Sequence, residues 1–190
     1  MFTSLWNHQL QPAQWAVVVV AAAVAATIDV RSHRIPNALT GPLLLCGMIW
    51  SLAVAGWGGL GDSLAGMFVV GVPFIVMWLM QAGGAGDAKM MMALGAWLGV
   101  RNGSAVLLGV ALAGGVVALL YALMRRQMLS TATNVLVMVG SALFLVKGGG
   151  TFAQRREVLP AFKGPDAIPY GVAIFMGTCV AAVAVMLYRG

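Results

Sequence analysis

Apolar runs separated by short polar or glycine-rich breaks repeat along the whole chain. They occupy residues 12–29, 38–57, 62–81, 88–100, 104–124 and 167–188. A bilayer-spanning helix needs about 20 mostly apolar residues, so the pattern predicts about six crossings, the fourth short and rich in methionine. The breaks differ in character. Arg31 and Arg34 occupy the first, and the second, at 56–61, is a glycine turn without a basic residue. The third contains Gly83-Gly84-Ala85-Gly86-Asp87, the fourth Arg101-Asn102-Gly103, and the fifth Arg125-Arg126. A further apolar run at 135–146 is shorter than a span requires.

Composition removes the soluble alternatives. Of 190 residues, 61% are hydrophobic and 8% charged, and the mean hydropathy is +0.94, whereas a soluble domain carries about a quarter charged residues. The expectation is an all-α, polytopic membrane protein forming a single domain over 1–190. The apolar run at 15–28 ends on an acid and a basic loop, not on a small-residue cleavage site, and reads as a retained first helix. The net charge of +6 reports orientation and not affinity for nucleic acid. If 135–146 stays on one side, Arg31, Arg34, Lys89, Arg125, Arg126, Lys147, Arg155, Arg156 and Lys163 share a face, opposed by Arg101 and Arg189. The positive-inside rule then places both termini outside and makes 127–166 a cytoplasmic segment, interfacial or re-entrant at the inner leaflet.

Most remaining features have plain structural readings. Cys46 and Cys179 lie far apart in apolar runs and read as buried thiols. His8 and His33 are the only histidines, so a His-Glu-x-x-His zinc site is impossible and no metal is implied. Small residues at 21–23, 95–99 and 109–114 suit close helix packing. Trp6, Trp50, Trp57 and Trp78 read as interfacial anchors.

Two acids stand out. Asp29 ends the first run and Asp87 opens the fourth. They are 58 residues apart, yet the predicted topology gives them the same depth at the cytoplasmic rim. A carboxylate beside hydrocarbon is costly unless something uses it. Three glycines within 83–86 let the backbone leave helical geometry, which at membrane depth requires burial or a wet cavity. Two carboxyls sharing a site do not both ionise readily, so one is a base while the other holds a proton, as in aspartic proteases. Helix dipoles favour the anion at Asp87, near a helix N-terminus, and the acid at Asp29, near a C-terminus. The structural alternatives are a helix cap for Asp87 and an interfacial partner to Arg31 or Arg34 for Asp29. Lys89 reads as snorkelling to headgroups or meeting an anionic substrate group.

The segment Asp29-Val-Arg-Ser-His-Arg34-Ile35-Pro36-Asn37, with Gly84-Ala-Gly86-Asp87-Ala-Lys89, resembles the two aspartate motifs of the type IV prepilin peptidases, intramembrane aspartyl proteases of the GxGD type. Ala167-Ile-Pro169-Tyr170-Gly171 resembles the start of that family's last helix. The resemblance implies Asp29 and Asp87 as the catalytic pair, with Gly84, Gly86, Lys89, Arg34, Pro36 and Asn37 in substrate-binding or supporting roles. It implies cleavage of a prepilin leader on the cytoplasmic side of a bacterial inner membrane, without a cofactor. The compact form is similar to the small peptidases of tight-adherence (Flp-type) pilus systems. Paired Cys-x-x-Cys motifs, which accompany N-methylation in longer members, do not occur in this sequence. Two other readings stay open at this point: a small proton-coupled transporter relaying protons through Asp29 and Asp87, and a structural pilus-assembly subunit. Membrane lipid is the one other partner implied, and the oligomeric state is not specified.

Overall fold

The structure is a computed structural model that describes residues 11–79, 83–124 and 170–188. The expectations for Trp6, His8 and the 127–166 segment fall outside the described residues. Those residues form four helices, α1 (Gln11–Ser32), α2 (Asn37–Leu79), α3 (Ala85–Met124) and α4 (Tyr170–Leu187). Each contains a stretch long and apolar enough to cross a membrane, and there is no strand among the described residues.

The stop after α1 is local. His33 takes a left-handed φ of 50°, and its N–H donates to the Asp29 carbonyl at 2.8 Å, closing the last turn in the manner of a C-cap. Three residues on, the Pro36 carbonyl accepts the N–H groups of Leu39 (3.1 Å) and Thr40 (3.3 Å), which starts α2. Four residues therefore separate the two helices.

As a straight rod, the 43 residues of α2 would extend about 65 Å, twice the roughly 30 Å of bilayer hydrocarbon. The helix is not straight. Gly56 has φ 61° and ψ −150°, a region open almost only to glycine. The hydroxyls of Ser51 and Ser63 both donate to the Ala96 carbonyl, at 3.5 Å and 2.7 Å. Twelve helical residues would hold those serines about 18 Å apart, so α2 folds back at Gly56 into two arms. Gly99, with φ 68° and ψ −171°, does the same in α3. A Cβ on Gly103 would lie 3.6 Å from the Gly95 Cα, although eight residues of straight helix cover about 12 Å.

These breaks are tighter than the sequence pattern predicted. The expected turn at 56–61 is one residue, and the break expected at 101–103 falls at Gly99. Asp62 supplies the reason for the second shift. Its Oδ1 accepts the Val100 N–H at 3.3 Å, capping the outgoing arm so that helix resumes at once and takes in Arg101, Asn102 and Gly103.

The incoming arm of α3 is the centre of the bundle. Ala88, Met90, Met91, Ala93, Leu94, Ala96, Trp97 and Leu98 are all buried, a helix apolar on every side and therefore enclosed on every side. Between helices in lipid, close packing replaces the hydrophobic drive, and glycine makes that packing possible. A Cβ on Gly66 would collide with Gly95 and Gly99, and one on Gly109 with the Gly177 backbone. These contacts bring α2 onto α3 and α3 onto α4, while α4 also packs on α1. Trp97 spans the first interface. Its indole N–H donates to the Leu43 carbonyl at 2.8 Å, and its ring stacks on Trp50 at 6.0 Å. Trp50 is thus a packing residue, unlike the exposed Trp57 and Trp78.

Candidate functional site

Asp29 occupies the last turn of α1 and Asp87 the first turn of α3. Both are buried, with 6% and 9% of their surface exposed. Two close contacts join the segments that carry them. Gly86 lies against Ile35, where a Cβ would come within 3.1 Å of both the Ile35 Cβ and its carbonyl oxygen. Lys89 Nζ donates to Asn37 Oδ1 at 2.8 Å, across 52 residues of sequence. The contact takes Lys89 in a direction the sequence did not suggest: its ammonium meets a neutral side chain of the other motif.

Each carboxylate accepts one backbone N–H. The Gly84 N–H donates to Asp87 Oδ2 at 3.1 Å, with the third residue of α3 reaching back to the residue before the helix, as the acidic half of a capping box does. Asp87 is therefore a cap as well as a member of the pair. Gly84 has room for no side chain there, since a Cβ would sit 2.8 Å from that same oxygen. For Asp29 the donor is the Gly171 N–H, at 2.8 Å in a buried position. Tyr170 beside it stands within electrostatic reach of Asp87, its ring edge-on to Phe74 at 5.9 Å and its hydroxyl against Gly114.

The start of α4 is thus a third wall of the site, beside the two aspartate motifs. Sequence reasoning noted the Pro169-Tyr170-Gly171 helix start but assigned it no role in the site. The available signal was a glycine within the first turn of an apolar helix, where a free N–H and a missing Cβ coincide. The helix-dipole reading of Asp29 changes with it. Asp29 lies at the C-terminal end of α1 and also at the N-terminal end of α4, and the second end favours the anion.

The other expected residues sit at the rim. Arg34 is exposed, with its carbonyl accepting the Ser32 hydroxyl at 3.1 Å. Pro36 acts through its carbonyl at the start of α2, and Asn37 through its bond to Lys89. Among the described residues no three His, Cys, Asp or Glu side chains are grouped so as to hold a metal ion. Chemically, the arrangement is a buried carboxyl pair with backbone donors on each side, suited to passing protons to and from a bound polar group.

Comparison with known proteins gives the same direction. Residues 16–119 match the model of the Type IV leader peptidase family, a region that includes both aspartates. The chain is 29% identical over 127 residues to a prepilin leader peptidase/N-methyltransferase of Pectobacterium carotovorum subsp. carotovorum, covering 60% of this chain and 44% of that protein. It is 32% identical over 123 residues to proteins of the same description from Aeromonas salmonicida (strain A449) and Aeromonas hydrophila, covering 59% of this chain and 41% of each. The chain thus spans less than half the length of these curated relatives. No solved structure matches significantly. With more than half of its residues inside that family model, and both motif segments among them, the chain belongs to the Type IV leader peptidase family.

Proposed function

We propose that the protein is a membrane-embedded aspartic endopeptidase that removes the leader peptide of prepilins, with Asp29 and Asp87 as the catalytic pair. The observation that carries this reading is that two buried carboxyls, 58 residues apart in sequence, belong to segments joined at one end of the bundle by the Gly86–Ile35 and Lys89–Asn37 contacts. A buried acid pair with no chemical task is an expensive feature in lipid.

The reaction follows from one shared proton. The ionised carboxylate takes a proton from water as the water oxygen bonds to the scissile carbonyl carbon. The protonated partner gives its proton to the carbonyl oxygen, leaving a neutral tetrahedral diol. On collapse, the carboxylate that gave its proton takes one back from a diol hydroxyl, while the other delivers its proton to the amide nitrogen and the C–N bond breaks. The roles exchange between the two steps, and the pair ends as it began, with one proton on the carboxyl that held it at the start.

The two foldback glycines support six crossings: α1, two arms each of α2 and α3, and α4. The basic residues Arg31, Arg34 and Lys89 gather at the end that carries both aspartates, and Arg101 lies by the Gly99 turn at the other, which supports a cytoplasmic position for the site in a bacterial inner membrane. Prepilins of the Flp type are the proposed substrates, as the resemblance of the sequence implies. The test is co-expression with a candidate prepilin, following leader removal by gel shift for wild type, Asp29→Asn and Asp87→Asn. Each variant is expected to stay folded and to lose roughly 10²–10⁴-fold in rate. Full-speed processing by either variant overturns the proposal.

A further inference from the structure

The Gly171 N–H lies at the start of α4 as described (Tyr170–Leu187) and donates to Asp29 Oδ2 at 2.8 Å, an outward bond of the kind that N–H groups in a first helical turn make. The approach is close enough to exclude any side chain at 171. A Cβ there would stand 2.8 Å from the Asp29 Cβ and 3.2 Å from the Ala26 Cα. Both partners are buried, so the bond acts in a low-dielectric setting where it is strongest. The donor to Asp87, by contrast, is the exposed Gly84.

We propose that Gly171 is a positioning residue for leader cleavage: its backbone N–H fixes the Asp29 carboxylate as the base of the resting enzyme, which leaves the proton on Asp87. The proposal rests on the peptidase reading above and deepens it. It reverses the assignment drawn from the helix ends at Asp29 and Asp87, because the N-terminus of α4 adds a directly bonded donor at Asp29.

Other groups around Asp29 do not supply this effect. From its own helix end and the following loop come Arg31, His33 and Arg34, all exposed; from α3 come Asp87 and Lys89, and Lys89 is exposed and engaged by Asn37; from α4 comes Tyr170, a neutral phenol. Among the described residues, the Gly171 N–H is the hydrogen-bond donor that Asp29 has at buried depth.

The test compares two substitutions in the full-length protein in detergent, with a purified prepilin as substrate. Gly171→Ala adds a Cβ and keeps the N–H. Gly171→Pro adds a comparable bulk and deletes the N–H, at a first-turn position where proline suits helical geometry. The expected result is that the acid limb of the pH–rate profile in the Pro variant moves to higher pH by about one unit relative to the Ala variant. At the optimum, kcat falls roughly tenfold with KM changed less than about twofold. Superimposable profiles for the two variants overturn the proposal, because a purely structural role for Gly171 predicts equal damage and no shift. If either variant does not fold, an amide-to-ester replacement at the 170–171 linkage removes the N–H without adding bulk. It is read against wild type, with the same two outcomes. Wild type that cleaves while the profiles coincide counts against the role of Gly171 alone, and wild type that cleaves no prepilin overturns the peptidase reading and this proposal together.

Discussion

Lys89 and Asn37 form an exposed hydrogen bond of 2.8 Å between the N-terminal parts of α3 and α2. The bond ties the segment following Asp29 to the segment containing Asp87, and it acts alongside the tight Gly86–Ile35 contact. Because it is exposed, it contributes little to global stability, about 1 kcal/mol or less. Its expected effect is on geometry. Asn37→Ala and Lys89→Met are each predicted to slow leader removal about tenfold, since small displacements of paired groups are costly to rate. The double variant is predicted to be no slower than the worse single variant. Initial rates for the four proteins form the cycle, and additive losses would show that the two side chains act separately.

Asp62, the half-buried third acid among the described residues, is predicted to be structural. It caps the outgoing arm of α3 through Val100 and lies against Gly99, at the end of that arm remote from the aspartate pair. Asp62→Ala is expected to lower stability by about 1 kcal/mol while the folded fraction cleaves at the wild-type rate. Thermal melting in detergent and specific activity per folded molecule check the two halves of this statement. Lost activity at unchanged melting temperature would move Asp62 into the site.

The glycines divide into two groups with opposite expected responses. Gly66, Gly95, Gly109 and Gly177 each face the backbone of a neighbouring helix. Replacing any of them by valine is predicted to cost roughly 1–3 kcal/mol or more, through overpacking that backbone does not relieve. At Gly41, Gly61 and Gly115 an added Cβ would meet no atom within 4 Å. Alanine at those three is predicted to be neutral or stabilising by up to about 1 kcal/mol, through helix propensity. The yield of monodisperse protein and its melting temperature distinguish the groups.

Gly56 isolates the backbone from the packing. It too has open space around it, but its φ of 61° with ψ −150° is closed to other residues. Gly56→Ala is therefore predicted to destabilise by about 1–3 kcal/mol with no clash to explain it. A melting temperature equal to wild type would mean that the α2 foldback does not need that conformation.

Much of this was legible in the sequence because apolar length and scarce charge dominate a membrane chain. The end of α1 at the Arg31–Arg34 segment, the helix beginning at the Gly84–Asp87 loop and the placing of these two segments at one end follow from run lengths and topology. The turning residues themselves do not. A glycine in a helical hairpin and a glycine in a helix face are both just glycine among apolar neighbours, and only the caps distinguish them. Asp62 makes the turn fall at Gly99, and it does so from another helix. Gly171 was hidden for the same reason: its partner is 142 residues away, and no local pattern records which helix end packs on which. Trp50 reads as an anchor until its contact with Trp97, across the α2–α3 interface, is known.

That span of 142 residues also sets a timetable for the newborn protein. At a synthesis rate of roughly 5–20 residues per second, the ribosome needs about 7–30 s after making Asp29 to deliver the glycine that holds it. Once Asp87 has been made, 58 residues into that interval, the nascent chain carries both motifs but not the glycine N–H that bonds Asp29. On the role proposed for Gly171, cleavage activity is expected to appear only once the last helix has packed against α1.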